Sequence, residues 1–300
     1  MGGWLFIVSD RDPDTKARRH RLVRGYRIPE DLQVRVPVAA ALTGKKVLVL
    51  GVGALGSFAA TELARAGVAS LTLIDSDAVE PGNSVRWPLG RPYWGLPKVW
   101  ALAQFVMVNY PATTVHHEIW RVGAADAQKP VEGYFYADDA DRLRQFILAA
   151  DVVVDASAST ECQQAVAYFC RKLGKPLVIG YATEGAAGGV VAKFPADSAA
   201  CFICLHDHWK DDGFPLPAVD KAGTIVPLGC NQPTFTGGSF DLQEVSLEIV
   251  RSAVSLLAPN AYEPGAWQVA VLSHSDDGTR QLPRWRGTTL SPRCSDCAPV

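Results

Sequence analysis

Between residues 46 and 194, stretches with the apolar pattern of strands alternate with stretches that have the apolar pattern of helices. Short runs of β-prone residues predict strands, and longer runs with apolar positions at helical spacing predict helices between them. The predicted strands cover residues 47–50, 71–74, 114–120, 151–155, 175–180 and 188–194, and the predicted helices cover residues 57–66, 99–108, 142–149 and 160–173. Strands that alternate with helices of this length predict βαβ units and a mostly parallel sheet. The predicted fold class is therefore α/β.

The pattern changes after residue 194. A helix is predicted to run to about Leu257, and it opens with Asp241-x-x-Glu244, which has the form of a capping box. Two more strands are predicted at 266–275 and 280–289. We expect this pair to close the domain as a C-terminal antiparallel extension of the sheet.

The first 35 residues carry the weakest pattern. Residues 4–8 predict a strand without an evident partner, and residues 15–29 contain basic side chains with no acidic one between them. These basic residues are Lys16, Arg18, Arg19, Arg21, Arg24 and Arg27. The pattern predicts a solvated basic hairpin or linker. We expect residues 1–35 to be an N-terminal extension or the tail of a preceding domain, in a chain that begins inside a longer protein, and residues 36–300 to form the main domain.

A glycine-rich turn joins the strand at 47–50 to the helix that follows it. Its sequence is Gly51-x-Gly53-x-x-Gly56, and Asp75 ends the next predicted strand. Glycines allow a phosphate to approach the backbone, the helix N-terminus attracts its charge, and the acid binds ribose hydroxyls. The motif predicts a nucleotide site in a Rossmann-like, doubly wound sheet, and it leaves NAD, FAD, S-adenosylmethionine and ATP open as ligands.

The residues after Asp75 favour a polyphosphate. Asp77 is followed by Asn83, Arg86 and Lys98, which place an amide, a guanidinium and an ammonium beyond the second strand. A dehydrogenase needs no such cationic cluster near its ribose site. With these motifs the chain resembles the ubiquitin-activating enzyme superfamily, which includes the bacterial ThiF and MoeB adenylyltransferases, over about residues 40 to 300.

The resemblance implies a cofactor, a reaction and partners. We expect ATP to lie along Gly51 to Gly56, with Asn83, Arg86 and Lys98 neutralising its phosphates, and a small protein to be adenylated on its C-terminal carboxylate. That protein would be a ubiquitin-like or sulfur-carrier protein, with a conjugating enzyme as a further partner and a homodimer as the assembly. Members of the superfamily often have an upstream arginine that reaches an ATP phosphate, sometimes across a dimer, and the candidates here are Arg24, Arg27 and Arg35, among which the sequence does not choose. A fragment of a larger bacterial ubiquitin-like conjugation protein fits the same pattern.

Asp155 ends another predicted strand, at the edge of the sheet where ligands gather. A carboxylate there can hold the Mg²⁺ that an ATP site requires. The superfamily pattern at this place is Asp-x-x-Asp-Asn, but this chain has Ala158 where the second acid is expected. Because alanine cannot bind a metal, either Asp155, together with Asp77, takes over or the activity is weakened.

Two Cys-x-x-Cys pairs offer four thiolates. Cys201 and Cys204 form one pair, and Cys294 and Cys297 form the other. Four thiolates are the ligand set of a tetrahedral, structural Zn²⁺ site, although a redox pair remains an alternative. We expect His206 and His208 to be loop residues rather than ligands, because four cysteines already fill the coordination shell.

Three further cysteines lie outside these pairs. Cys162 and Cys170 fall on a predicted helix and are expected to be core thiols. Cys230 lies in a glycine- and proline-rich loop before a helix. The resemblance implies that this loop cysteine receives the activated carboxyl group as a thioester, whereas an unreactive loop cysteine is the alternative.

Composition excludes several other classes of protein. The net charge of −2 gives no overall field that would attract nucleic acid or a membrane, and no apolar run approaches the roughly 18 residues that span a bilayer. Seven cysteines, an odd number, suit reduced thiols in a cytoplasmic protein better than a secreted disulfide framework. Three alternatives remain open: a sulfur-carrier enzyme that forms a thiocarboxylate without an enzyme thioester, a zinc-stabilised NAD-dependent oxidoreductase, and a non-catalytic scaffold with a nucleotide-binding fold.

Overall fold

The computed structural model describes residues 4–25, 30–122, 137–211, 213–225, 234–276 and 279–298. Its strands are β1 (Trp4–Arg11), β2 (Arg18–Gly25), β3 (Lys46–Leu50), β4 (Ser70–Asp75), β5 (Thr114–Ile119), β6 (Val152–Asp155), β7 (Leu177–Ala182), β8 (Gly188–Phe194), β9 (Thr224–Ile225), β10 (Thr234–Phe235), β11 (Val269–Asp276) and β12 (Thr279–Thr288). Its helices are α1 (Glu30–Arg35), α2 (Val38–Leu42), α3 (Ala54–Arg65), α4 (Lys98–Asn109), α5 (Ala137–Ala149), α6 (Thr160–Lys172), α7 (Phe202–His208) and α8 (Ser239–Leu257).

An eight-stranded sheet organises these elements in the order β12-β11-β8-β7-β6-β3-β4-β5. The strands from β7 to β5 pair in parallel, and β8, β11 and β12 pair antiparallel. This arrangement confirms the predicted Rossmann-like, doubly wound sheet with its C-terminal antiparallel extension. The strand order reverses between β3 and β6, and such a reversal opens a crevice at the carboxyl ends of the strands.

Two apolar clusters cover the two faces of the sheet. In β3, Val47 and Val49 belong to the cluster that includes α3, α4 and α8, while Leu48 and Leu50 belong to the cluster that includes α5, α6 and α7. Successive side chains of a strand point to opposite faces, so a strand covered on both sides is apolar throughout. This double coverage explains why the sequence shows a continuous apolar run at β3.

Residues 4–25 form a hairpin of their own. β1 pairs antiparallel with β2, so the opening strand does have a partner, contrary to the sequence-based expectation. The basic stretch was predicted as a solvated hairpin or linker, and β2 confirms the hairpin: most of its residues are basic, and nearly all are exposed. The assignment of residues 1–35 to an extension or a preceding domain stays a prediction.

The predicted capping box of α8 is wrong. Gly238 occupies the N-cap position, and no side chain caps the helix. Asp241 instead lies in the first turn, where its buried carboxylate accepts two hydrogen bonds from the Arg280 guanidinium on β12. A bidentate pair of this kind is stronger than a neutral capping bond, so the acid ties α8 to the sheet extension.

Among the described residues, no helix is long and apolar enough to span a bilayer.

Candidate functional site

The glycine turn after β3 requires glycine at two of its three positions. Gly51 has a φ of +77°, and a Cβ added there would lie 2.5 Å from the Cα of Ser157. A Cβ on Gly56 would lie 1.9 Å from the carbonyl oxygen of Gly51, so α3 could not pack this closely on the turn. At Gly53, the N-cap of α3, no described atom lies within 4 Å of an added Cβ. The turn therefore leaves an open approach to the N-terminus of a 12-residue helix, where anions bind.

Asp75 at the end of β4 is held in one orientation. The backbone N–H of Val52 donates to its Oδ2 at 2.7 Å, and the N–H of Asp77 donates to its Oδ1 at 2.8 Å. Burial raises the pKa of Asp75, while the charge of Lys98 and these two N–H groups act in the opposite direction. The acid thus joins the glycine turn to the next strand and keeps acceptor capacity for a hydroxyl.

A cleft of about 230 Å³ opens at this edge of the sheet. Its lining consists of Leu50, Gly51, Ile74, Asp75, Ser76, Asp77, Trp120, Arg121, Val122, Ser157, Ser159 and Cys162. These residues follow β3, β4, β5 and β6, or lie at the ends of those strands, as expected for a ligand site in an open α/β sheet. Of the predicted site residues, Gly51, Asp75 and Asp77 line this cleft.

Lys98 is positioned by the segment between β4 and α4. Its Nζ lies 2.7 Å from Asp77 Oδ2, and its backbone N–H donates to the Asp77 carbonyl at 2.9 Å. The Lys98 side chain is 11% exposed, whereas that of Asp77 is 63% exposed. The lysine charge is therefore held beside the cleft by an acid that itself faces the cleft.

Asn83 and Arg86 lie on a short 3-10 helix, Pro81–Val85, and at its end. The Asn83 Oδ1 accepts a hydrogen bond from the Glu80 N–H at 3.0 Å as part of a capping box. Burial lowers the pKa of Arg86, and the charge of Glu80 counteracts the shift. Like Lys98, both residues lie outside the lining of the cleft.

Trp87 is a structural contributor that sequence reasoning missed. Its ring is 4% exposed, and its Nε1 donates to the carbonyl oxygen of Val52 at 2.7 Å. This bond attaches the segment that carries Asn83, Arg86 and Lys98 directly to the glycine turn. The available signal was a tryptophan between Arg86 and Pro88, in the segment that carries the predicted phosphate ligands.

Asp155 lies at the carboxyl end of β6 as predicted, but it is fully buried and does not line the cleft. Its Oδ1 accepts hydrogen bonds from the backbone N–H and the hydroxyl of Ser157, at 3.0 and 2.6 Å. Its Oδ2 has no hydrogen-bond partner among the residues that the structure describes. Burial raises the pKa of Asp155 to about 6, although the two bonds from Ser157 and the neighbouring Cys162 thiol favour the ionised form.

Replacing Asp155 with asparagine should stabilise the protein at high pH. Because the pKa of Asp155 rises from 3.8 to about 6 on folding, the wild type loses stability as the pH rises from about 4 to about 6. The asparagine side chain carries no charge, so we expect D155N to unfold with a free energy about 1–3 kcal/mol larger than the wild type at pH 8. Urea titration without nucleotide or metal should show this difference falling to about one third of that value at about pH 4.5 and approaching zero at about pH 3. An equal difference at all of these pH values would contradict a raised pKa of Asp155 in the folded state. Asp10→Asn, at an exposed position, is the control and should not change stability.

Ala158 has an unusual backbone conformation. Its φ is +54°, in the left-handed region that asparagine, aspartate and glycine adopt more readily than alanine. The next residue, Ser159, caps α6 by accepting the Cys162 N–H at 3.3 Å. The backbone thus keeps a turn suited to an acid or amide, while the side chain offers no ligand.

Four cysteines meet between α7 and the C-terminal segment. The Sγ atoms of Cys201, Cys204, Cys294 and Cys297 all lie within 4.8 Å of one another. The three distances among Cys201, Cys204 and Cys294 are 3.5, 3.6 and 3.9 Å. Four thiolates about 2.3 Å from a tetrahedral Zn²⁺ would lie about 3.8 Å apart, so the donor set fits this metal. The predicted four-cysteine cluster is confirmed.

Local hydrogen bonds favour a thiolate in this cluster. The Arg293 N–H donates to the Cys204 Sγ at 3.3 Å. Burial works against the charge of Cys204, but backbone N–H groups outweigh it and lower the pKa of this thiol to about 6. The backbone is therefore arranged for a charged sulfur ligand.

The neighbouring histidines lie on α7, so the expectation that they are loop residues is wrong. The His206 ring packs edge-on between Phe202 and Trp209, with ring centroids 4.6 and 5.1 Å away. The His208 Nε2 accepts the Ser291 N–H at 3.1 Å. Neither histidine belongs to the metal-ligating cluster found among the described residues.

The other predicted residues fall in three groups. Cys162 and Cys170 are confirmed as buried thiols, 3% and 1% exposed. Arg24 lies on the exposed hairpin, and Arg35 forms a surface ion pair with Asp31 at 3.1 Å, so neither lines the cleft. Arg27 and Cys230 lie outside the described residues.

Comparison with known proteins identifies relatives of the chain. The ThiF family matches residues 31–259. The chain is 54% identical over 297 residues to the uncharacterized protein y4oA of Sinorhizobium fredii (strain NBRC 101917 / NGR234), covering 98% of this chain and 49% of that protein. It is 26% identical over 187 residues to the sulfur carrier protein ThiS adenylyltransferase of Escherichia coli (strain K12), covering 62% of this chain and 67% of that enzyme. The chain spans about half the length of y4oA.

A solved structure shares the fold. The crystal structure of E. coli MccB with ATP has a TM-score of 0.59 at 15% sequence identity, covering 87% of this chain and 69% of that one. At this identity the likeness shows the fold alone.

Proposed function

Since the chain belongs to the ThiF family, we propose that it adenylates the C-terminal carboxylate of a ubiquitin-like or sulfur-carrier protein. The observation that carries the proposal is the cleft, which places the open N-terminus of α3 beside the oriented acid Asp75 and the Lys98–Asp77 pair. A nucleotide can lie there with its phosphates at Gly51, Gly53 and Gly56 and its ribose at Asp75. The sulfur carrier protein ThiS adenylyltransferase, a relative by sequence, supports both the proposed reaction and ATP as its nucleotide.

The first step needs positioning and charge stabilisation. A carboxylate oxygen of the carrier protein attacks the α-phosphorus of ATP, and the bond to pyrophosphate breaks to leave an acyl-adenylate. Lys98 is preorganised for the developing phosphate charge because Asp77 and the helix start fix its position. Asn83 and Arg86 are the proposed phosphate ligands on the neighbouring segment, which Trp87 attaches to the glycine turn.

One carboxylate that could hold Mg²⁺ lines this cleft, and a second lies buried beside the lining residue Ser157. Asp77 offers an exposed carboxylate that lines the cleft, and the Asp155 Oδ2 is a buried acceptor without a partner among the described residues. We assign these two carboxylates to the metal, in place of the acid that Ala158 replaces. Mg²⁺ supplies charge neutralisation to the phosphates.

Zn²⁺ is the proposed occupant of the four-cysteine cluster. Four thiolates leave no open coordination position, so this metal has a structural role. It would join α7 to the C-terminal segment.

Cys230 is the proposed acceptor in a second step. Its thiolate attacks the acyl carbon, AMP leaves, and the thiol proton passes to solvent. The described strands on either side of Cys230 support this role. β9 and β10 pair antiparallel with each other. The Gly185 N–H next to the end of β7 donates to the Gly223 carbonyl at 3.3 Å, which holds this hairpin near the carboxyl edge of the sheet.

Replacing Cys230 with alanine tests the second step. With a carrier protein that supports exchange of pyrophosphate into ATP, C230A should keep the exchange rate within about twofold of the wild type, because adenylation precedes the thiol. The thiol-sensitive adduct between enzyme and carrier should disappear on non-reducing gels. Cys170→Ala removes a buried thiol instead and should keep the adduct.

Two outcomes would favour the other functions. If C230A retains the adduct, or the wild type forms none while exchange continues, the adenylate passes directly to a sulfur donor and the carrier becomes a thiocarboxylate. If no carrier supports exchange, the loss of the second acid at Ala158 favours a non-catalytic scaffold.

A further inference from the structure

The cleft continues along the sheet edge beyond Asp75. The glycine turn follows β3, Asp75 ends β4, and Trp120 directly follows β5. These three strands are neighbours in the sheet, in that order. Adjacent strands lie about 4.8 Å apart, so the three groups succeed one another across the carboxyl edge at steps of about one strand spacing.

Trp120 is held firmly in the wall of the cleft. Its backbone N–H donates to the Asp75 carbonyl at 3.3 Å, and its indole ring is partly buried against Phe146, with ring centroids 6.4 Å apart. The guanidinium carbon of Arg142 lies over the indole, 4.8 Å from its centroid. Arg142 in turn forms an ion pair of 2.6 Å with Glu118 on β5. A cation over the ring and an aromatic neighbour restrict the indole to one position.

We propose that Trp120 is the stacking platform for the nucleotide base, and that Arg142 is a positioning residue for it. The inference rests on the proposed function, because it takes the phosphates to lie at the N-terminus of α3 and the ribose to lie at Asp75. The site then presents three features in the order of the parts of a nucleotide. The helix end binds the triphosphate, the acid binds the ribose hydroxyls, and the aromatic wall contacts the base. Among the described residues that line the cleft, Trp120 is the one aromatic side chain.

This arrangement selects the nucleotide by the strength of stacking. Every base has a face that can stack on an aromatic ring, and preferences arise from stacking strength. A purine covers more of an indole than a pyrimidine does, so the platform should favour ATP and GTP over CTP.

Calorimetric titration with a truncated ligand isolates the contact with the base. Wild type, Trp120→Ala and Trp120→Phe are titrated with ATP, CTP and ribose 5′-triphosphate, each with Mg²⁺. Because stacking on one aromatic ring changes affinity by about 5-fold to 150-fold, W120A should bind ATP weaker by a factor in this range. Its affinity for ribose 5′-triphosphate, which has no base to stack, should stay within about twofold of the wild type. W120F keeps an aromatic ring and should recover most of the ATP affinity. If W120A does not fold, the comparison of W120F with the wild type tests the contact instead.

Two further variants complete the series. Arg142→Gln should weaken ATP binding by a smaller factor than W120A and should leave ribose 5′-triphosphate unchanged. Trp100→Ala removes an exposed tryptophan outside the cleft and should change neither affinity.

The inference is overturned if W120A binds ATP as the wild type does, or if it loses ATP and ribose 5′-triphosphate by equal factors. Equal losses would make Trp120 a structural residue of the cleft wall. A wild-type chain that binds ribose 5′-triphosphate and ATP equally would also overturn it while leaving the phosphate site intact. A wild-type chain that binds no ATP would overturn the proposed function together with the inference.

Discussion

Replacing Lys98 with alanine is expected to weaken the binding of ATP with Mg²⁺ at least about 10-fold and to abolish pyrophosphate exchange. A charge-assisted bond to a phosphate contributes about 1.5–3 kcal/mol, and about 1.4 kcal/mol corresponds to a factor of ten in affinity. The Lys98 side chain is 11% exposed and points its ammonium at Asp77, so water cannot easily replace the lost charge. Calorimetry and an exchange assay measure the two effects.

Matched variants separate this effect from a general loss of charge or fold. K98R keeps the charge and should retain part of the affinity, because a guanidinium does not reproduce the geometry of an ammonium. Lys210→Ala removes an exposed lysine that also pairs with an aspartate, Asp207, at 2.6 Å, and should leave binding unchanged. The free energy of unfolding of K98A should fall by about 1–2 kcal/mol, because Lys98 is buried and its charge offsets the burial of Asp75, so binding is measured where the variant is folded. Unchanged ATP binding in K98A would contradict the placement of the phosphates.

Replacing Cys204 with serine is expected to remove the metal and to lower the melting temperature by about 5–10 °C. Cys204 is fully buried, and a serine oxygen is a poor substitute for a thiolate in a site with four sulfur ligands. Loss of such a site costs several kcal/mol, and about 4 kcal/mol corresponds to this temperature shift in a chain of this length. Elemental analysis should fall from one zinc per chain to none.

Cys170→Ser is the matched control, because Cys170 is also buried but lies outside the cluster. C170S should keep the zinc. If C170S and C204S nevertheless melt at similar temperatures, the decrease in melting temperature comes from the buried serine hydroxyl and not from loss of the metal. Chelation of the wild type should reproduce the melting temperature of C204S. The assignment of zinc to the four-cysteine cluster would be contradicted by a purified wild type without zinc. Purified C204S with one zinc per chain would contradict it as well.

The sequence was most informative where local chemistry determines structure. β3, α3 and β4 were predictable because a strand buried on both faces, a glycine turn and a helix each leave their own pattern. The predicted strand at 47–50 and the observed Lys46–Leu50 differ by one residue. The cysteine cluster was predictable because thiolates in two Cys-x-x-Cys pairs suit a single metal, even though the pairs are far apart along the chain.

Other features depend on partners that are distant in the sequence. Asp241 has the spacing of a capping residue, but it pairs with Arg280, 39 positions further on, and that pairing depends on how α8 meets β12. The burial of Asp155 and the bond from Trp87 to Val52 likewise follow from the packing of loops on one another. Short helices such as α7 have too few turns to show a period, so the sequence pattern did not predict the helix that carries His206 and His208.

If Zn²⁺ stays bound to its cysteines when the chain unfolds, the four-cysteine cluster also restricts the unfolded chain. Cys204 and Cys294 are 90 positions apart, so a metal that holds both closes a loop that includes α8, β11 and β12. In the chain-entropy description, a cross-link over this length removes about 4–5 kcal/mol of conformational freedom from the unfolded state. Because that gain grows only slowly with the length of the loop, insertions between the two cysteine pairs would change it little. The enclosed segment, which includes Cys230, could therefore change in length at little cost in stability while both of its ends stay fixed to the same point on the domain.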